Sequence, residues 1–339
     1  MRSKTMRLIP LFCMLLCMFL LVLGTAAYTT DEAGVIHLTD AADVLTLMND
    51  SSLWDKNIVL DATVDLSEYA GDLAQAPIGQ KGVADFTGTF DGQNYEIKGI
   101  FIESDAQRVG LFGSAANAEI RNLTIRGSIF SSGDGVGGFV GVSLADLTVY
   151  NCVNYCTVES TSTSGTGSRV AGIVGVAQPA AGNTVKISNC KNYGAITGVA
   201  QSAGMMGRAA VTAAGASITF VNCCNEGKIV ATAAASYAAG IVGYTDPAVV
   251  GAVTISKCRN AGDVDALKHV GGIVGSMKTT VAGAIAIDEC WNSGNVHARD
   301  GYVGGIVGYP QPVTVNYGFT ISDCGNTGVI SSDAANGYV

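Results

Sequence analysis

From residue 109 onward, apolar side chains return at intervals that fit short strands rather than helices. Counted from Cys152, Cys190, Cys223, Cys258, Cys290 and Cys324, position −5 is Leu147, Val185, Ile218, Val253, Ile285 and Phe319. Position −3 is Val149, Ile187, Phe220, Ile255, Ile287 and Ile321. Apolar residues two apart define one face of a strand. Position −1 breaks the alternation with Asn151, Asn189, Asn222, Lys257, Glu289 and Asp323. The strand must therefore bend or end before the cysteine turns inward, because a straight strand would bury Lys257, Glu289 and Asp323 without partners. Position +6, occupied by Val158, Ile196, Ile229, Val264, Val296 and Ile330, opens another inward strand. A third apolar phrase, such as Gly271-Gly272-Ile273-Val274-Gly275 or Gly304-Gly305-Ile306-Val307-Gly308, precedes each cysteine and reads as one further strand.

The six cysteines are spaced 38, 33, 35, 32 and 34 residues apart. A period in this range means stacked units rather than one globular core. Three short strands per unit, joined by tight turns and one variable loop (176 to 184, or 244 to 252), describe an all-β solenoid: a single-stranded parallel β-helix with one coil per repeat. Coils stack about 4.8 Å apart, so equivalent positions form ladders along the axis.

Two further positions mark the corner. Position +2 is Asn154, Asn192, Asn225, Asn260, Asn292 and Asn326, and position +4 is Gly194, Gly227, Gly262, Gly294 and Gly328, with Cys156 departing. Asn followed two residues later by Gly predicts a turn in which the amide replaces backbone partners and Gly supplies positive φ. The asparagines are expected to bond one another and the turn backbone rather than to form a glycan-binding array. The cysteines are expected to be stacked buried thiols, since six in-register side chains have no unique pairing and Leu123 fills the same slot in an older, degenerate coil. Cys156 and Cys224 lie off this ladder, and Cys223-Cys224 lacks metal-ligand spacing.

Strands are also expected at Phe86 to Tyr95 and Ile97 to Ile102. A helix over Thr39 to Asn49, with Thr39 or Asp40 as N-cap, is placed to cover the N-terminal end of the stack. At the other end Gly337-Tyr338-Val339 copies Gly301-Tyr302-Val303, so the last repeat reads as truncated and further domains are expected beyond Val339. The expected divisions are 1–27, a leader; 28–108, cap and first strands; and 109–339, repeats of about 34 residues.

Composition changes the picture in two ways. Arg2, Lys4 and Arg7, the apolar run Leu8 to Leu23 and Gly24-Thr25-Ala26-Ala27 have the form of a secretory signal peptide, which predicts an extracellular or cell-surface protein. Its removal takes three of 19 basic residues and none of 28 acidic ones, moving the net charge from −9 to −12 (16 against 28). That balance argues against nucleic acid as a partner, and no membrane span is expected in the mature chain. Expected partners are extracellular or host glycans or proteins, met through the variable loops.

Candidate chemistry is thin. A polysaccharide lyase or hydrolase needs paired carboxylates with a basic group. Asp263, Asp265 and Lys268, and His297, Arg299 and Asp300, each occur in one coil, and Asp91-Gly92 beside Asp85 is an ordinary turn signal. His37, His269 and His297 are scattered, with no nucleophile–base arrangement visible in sequence. No residue is assigned a catalytic, cofactor-binding or metal-binding role, and no cofactor is expected.

The combination of Phe86-Thr87-Gly88-Thr89-Phe90-Asp91-Gly92-Gln93, Val109-Gly110-Leu111-Phe112-Gly113, the repeated Gly-Gly-Ile-Val-Gly and Ile-Ser-x-Cys-x-Asn-x-Gly-x-Ile/Val resembles the GLUG-repeat family of bacterial surface proteins, over roughly residues 35 to 339. The resemblance implies a right-handed, pectin-lyase-like β-helix. It also implies a place in large secreted or wall-attached proteins, among them adhesin-like proteins and immunoglobulin-A1-cleaving metallopeptidases. Peptidase chemistry is not carried over, since it belongs to a separate zinc domain and this chain has no His-Glu-x-x-His. Three readings stay open: a structural or adhesive rod, a polysaccharide-active enzyme, and a non-catalytic arm of a larger secreted hydrolase or peptidase.

Overall fold

The computed structural model describes residues 28–70, 75–163, 168–234, 236–247, 251–279, 284–312 and 319–334. The expected signal peptide at 1–27 and the terminal Gly337-Tyr338-Val339 lie outside them. Among the described residues, alternating apolar positions close into a parallel β-solenoid with one short α-helix. Four sheets of 6, 7, 11 and 15 strands run along the stack, the smallest beginning at Val136–Gly137 and the next at Phe112–Ala115, with strands pairing to their equivalents in adjacent coils. Among the described residues the strands of successive coils pair parallel, while the first two strands, Thr29–Thr30 and Ile36–Leu38, pair antiparallel.

One unit shows the path. The first face is Tyr237–Ala239, the second Val242–Thr245 and the third Ala252–Ser256; the fourth begins at Arg259–Asn260 and continues at Val264–Ala266. The apolar phrase is therefore not one strand. It supplies the end of the first face and the start of the second, with Gly240-Ile241 at the corner between them. The reason is tertiary: a Cβ at Gly240 would overlap the side-chain amide of Asn260, and Gly172, Gly204, Gly272 and Gly305 stand in the same relation to Asn192, Asn225, Asn292 and Asn326. The two phrases of each repeat are thus the two sides of one contact.

The other corner bends at a different residue from the one the Asn–Gly spacing predicts. None of the glycines at +4 adopts a left-handed φ; position −1 does, with Asn151, Asn189, Asn222, Lys257, Glu289 and Asp323 all between φ 50 and 55. A left-handed residue turns the chain from the third face to the fourth while keeping its side chain outward, which solves the burial problem at Lys257, Glu289 and Asp323. Asn tolerates this conformation best among non-glycine residues. The +4 glycines serve close stacking instead: a Cβ at Gly227 would run into the carbonyl of Gly194, and one at Gly262 into that of Gly227.

In register, Val185, Ile218, Val253 and Ile285 stack on one another, as do Ile187, Phe220, Ile255 and Ile287. All are buried, so the core is a continuous apolar column. In the first turn helix α1, Ala41–Asn49, takes the place of the strands on three faces between Ile36–Leu38 and Asn57–Leu60. Asp40 is its N-cap in a reciprocal capping box with Asp43, and Val44, Leu47 and Met48 are buried.

Candidate functional surface

The repeated residues converge inward. Cys152, Cys190, Cys223, Cys258 and Cys290 are buried and Cys324 is partly so; all eight described cysteines are unpaired. The ladder thiols donate to backbone carbonyls, Cys190 Sγ to Ser188 O at 3.3 Å and to Val149 O at 3.5 Å, Cys223 Sγ to Val221 O and Ile187 O at 3.5 Å. Burial first, then the Cys152 thiol, pushes the Cys190 thiol well above its ordinary value of 9.0. A thiol so held is a poor nucleophile and a poor metal ligand, whereas the hydrogen bond with the Cys258 thiol lowers that of Cys290. Cys156 is buried, and Gly194 rests against its carbonyl, whereas Cys224 is half-exposed.

The asparagines form one continuous amide chain. Nδ2 of Asn154, Asn192, Asn225, Asn260 and Asn292 donates to Oδ1 of the next at 2.7, 2.8, 2.7, 2.7 and 2.6 Å, ending at Asn326. The second Nδ2 hydrogen serves the backbone, as from Asn225 to Gly227 O at 2.9 Å. Every one of these amides except that of Asn326 is buried, so no ligand reaches them.

The carboxylates weighed from sequence are occupied by neighbours. Asp265 takes Arg299 Nε at 2.9 Å, Asp263 accepts Asn295 N–H at 3.1 Å, Asp91 takes Arg121 Nε at 2.8 Å, and Asp85 accepts the Ser114 hydroxyl at 2.5 Å. The two charged groups read as separate therefore meet across coils. A nucleophile–base arrangement invisible in sequence also forms: His297 Nδ1 lies 2.9 Å from Ser331 Oγ, and Nε2 lies 3.1 Å from Asp333 Oδ2. Asp333 is 69% exposed, and no described cavity is lined by these three residues.

A different outward feature is out of phase with the cysteines. Aligned on the corner glycine, the residue three before it is Arg169, Gln201, Tyr237, His269 and Tyr302, and the residue four after it is Arg208, Tyr244, Ser276 and Tyr309. Register stacks the first set on the first face and the second set on the adjoining second face. The rings meet: Tyr237–Tyr244 centroids at 4.9 Å, Tyr237–His269 at 5.0 Å, His269–Tyr309 at 4.6 Å and Tyr302–Tyr309 at 4.4 Å. Towards the N-terminal side the strip becomes charged, with Arg208 Nη2 on Asp246 at 2.6 Å and Arg169 Nε on Asp134 at 2.9 Å. His269 is only 8% exposed, and burial, with Lys268 nearby, lowers its pKa to about 4. Its Nδ1 and the Oε1 of Gln201 are buried with no hydrogen-bond partner.

No family model matches the chain. Over 144 residues, 40% of this chain, it is 28% identical to halomucin of Haloquadratum walsbyi (strain DSM 16790 / HBSQ001), a stretch that spans 2% of that protein's length. Among solved structures it is similar to a proposed immunoglobulin A1 protease from Bacteroides ovatus, with a TM-score of 0.58 and 21% identity over 90% of this chain and 79% of the other. At that identity the structural likeness establishes the fold, a β-helix.

Proposed function

We propose that the chain is a rigid β-helical scaffold of a secreted or cell-surface protein, holding outward residues and loops in fixed array. The observation that carries this reading is the division of labour within each unit. Positions that face inward, Cys, Asn and Gly, hardly change from coil to coil, whereas the outward columns change freely, from Arg169 to Tyr302 on the first face and from Lys191 to Trp291 on the fourth. An enzyme would keep its variation away from one fixed constellation, and the candidate acids here are spent on ion pairs and turn caps. The sequence resemblance to GLUG repeats, the partial likeness to a protein called halomucin, and the fold shared with a proposed protease of an extracellular antibody all support a location outside the cell.

Localisation tests the reading: on intact cells carrying the full-length protein, added protease or a non-permeant label should reach it. Labelling only after lysis would overturn the proposal. Release of unsaturated uronate from polygalacturonate by the purified chain, abolished by Asp263→Asn or Asp265→Asn, would favour the polysaccharide-lyase reading instead.

A further inference from the structure

We propose that the notch on the fourth face between Lys191 and Arg259 binds a tetrahedral oxyanion, a sulfate or phosphate group that is free or carried as an ester by a larger partner. The site goes beyond the scaffold reading and does not depend on it.

The notch follows from side-chain length in one outward column. Register places Lys191, Cys224 and Arg259 on successive coils of the fourth face, each about 4.8 Å from the next. Cys224 is much shorter than either neighbour, so a gap opens over it, and a cavity of 280 Å³ lies there. Asn189, Asn222 and Lys257 also line it, from the left-handed corner two residues before that column. Asn222 Nδ2 donates to Asn189 Oδ1 at 2.7 Å, so the amide wall is polar and uncharged.

Charge selects an anion. Three cations line the cavity, Lys191, Lys257 and Arg259, and no carboxylate does among the described residues, on a chain whose net charge is −9. Two acids stand at the rim: Glu226 Oε1 lies 3.9 Å from Cys224 Sγ, and Glu289 pairs with Lys257 at 3.7 Å. Lys257 is thereby offset, whereas neither Lys191 nor Arg259 has an ion pair among the described residues. Both cations act on the thiol between them: burial and Glu226 push the Cys224 pKa up, and Lys191 and Arg259 pull against that rise. Shape then selects the kind of anion. A carboxylate carries two oxygens on one edge. A sulfate or phosphate group spreads at least three over a tetrahedron, so it can face one cation on the coil before and another on the coil after. The Arg259 guanidinium adds forked N–H donors that match such oxygens.

The thiol under the notch serves as the reporter. The purified chain is treated with iodoacetamide and mapped by peptide mass spectrometry, with Cys324, also partly exposed, as the internal reference. Alkylation joins Sγ to the reagent's methylene carbon, expels iodide and gives the thiol proton to solvent, so an occupied notch should block it. At equal ionic strength, inorganic sulfate or phosphate should slow Cys224 saturably and leave Cys324 unchanged, and acetate should slow neither. Dextran sulfate, against plain dextran, separates the sources: protection at a lower concentration of sulfate groups than free sulfate requires assigns the notch to an ester on a partner, and otherwise to the free ion. Lys191→Gln and Arg259→Gln should each raise the concentration needed about tenfold, the loss of one charge-assisted hydrogen bond. Glu226→Gln should lower it, and Lys228→Gln, exposed on the same face outside the cavity, should leave it unchanged. Circular dichroism checks that each variant is folded. If Cys224 resists alkylation, calorimetric titration with sulfate carries the test, giving heat with the chain and none with the Lys191→Gln/Arg259→Gln variant. No protection or binding by sulfate, phosphate or dextran sulfate, equal protection by acetate, or protection unchanged in both cation variants would overturn the proposal. None of these outcomes bears on where the protein resides, so the scaffold reading stands or falls separately.

Discussion

At the scale of single residues, the fold depends on side chains that fill no space with hydrocarbon. Asn225 accepts from Asn192 and donates to Asn260 and to Gly227 O, all while buried. Asn225→Leu strands one donor and two acceptors, and at about 1–3 kcal/mol for each unsatisfied group the loss should be about 3 kcal/mol or more in urea denaturation. An unchanged midpoint would refute the ladder's role. Position −1 runs the other way. Glu289 holds φ 50 at a corner where three other cysteine units carry Asn, and its contact with Lys257 is an exposed ion pair at 3.7 Å, worth little. Glu289→Asn should therefore raise stability by about 0.5–1 kcal/mol, part of the left-handed penalty of roughly 1–2 kcal/mol. Two buried groups set opposite pH limits. His269 has its pKa lowered to about 4 by burial, so the folded state binds fewer protons than the unfolded one, and the stability it contributes is present above about pH 6.5 and lost as pH falls towards 4. The Cys190 thiol is raised by burial, so its contribution is intact below pH 9 and is lost as pH climbs above it. Thermal midpoints should fall on both flanks, and His269→Phe should flatten the acid side alone.

At the scale of elements, strand existence was readable and strand boundaries were not. The −5 and −3 positions announce the third face without ambiguity. The apolar Gly phrase gave no sign that it divides between two sheets, because Gly240 is fixed by an overlap with Asn260, 20 positions away in sequence. Likewise the Asn–Gly spacing at +2 and +4 suggested a glycine turn, while the left-handed residue is the preceding Asn, Lys, Glu or Asp. Local rules find the corner; stacking between coils decides which residue bends. The helix was read closely, its N-cap and apolar face both being local signals. Asp40 accepts from Asp43 N–H at 3.1 Å, and the Asp43 carboxylate takes Asp40 N–H at 3.3 Å and Thr39 N–H at 2.6 Å. Asp40→Ala should cost about 1 kcal/mol and act locally. Amide exchange should quicken across 41–49 and stay unchanged across 252–266, whereas uniform quickening would mean that the helix is needed by the whole stack.

At the scale of the whole molecule, each coil contacts only its neighbours, so stability is a sum of units and interfaces rather than a single core. Excision of the 35 residues from Cys223 to Lys257 joins Asn222 to Cys258 and brings the Cys190 coil against the Cys258 coil in register. That shortened chain should keep a β-type circular dichroism spectrum and cooperative unfolding. Removal of residues 223–240 leaves half a coil and should unfold it; equal behaviour of the two deletions would contradict the solenoid. The sequence by itself determined the period, the inward columns and hence the stacked parallel architecture, because each of these is written within one repeat as a hydrophobic or small-residue rhythm. Only the tertiary structure decided which outward residues share a surface. Gln201, Tyr237, His269 and Tyr302 lie 32 to 36 residues apart in sequence, yet coil stacking at about 4.8 Å makes them neighbours. Adjacency along the rod axis depends on register between coils, which no single coil encodes.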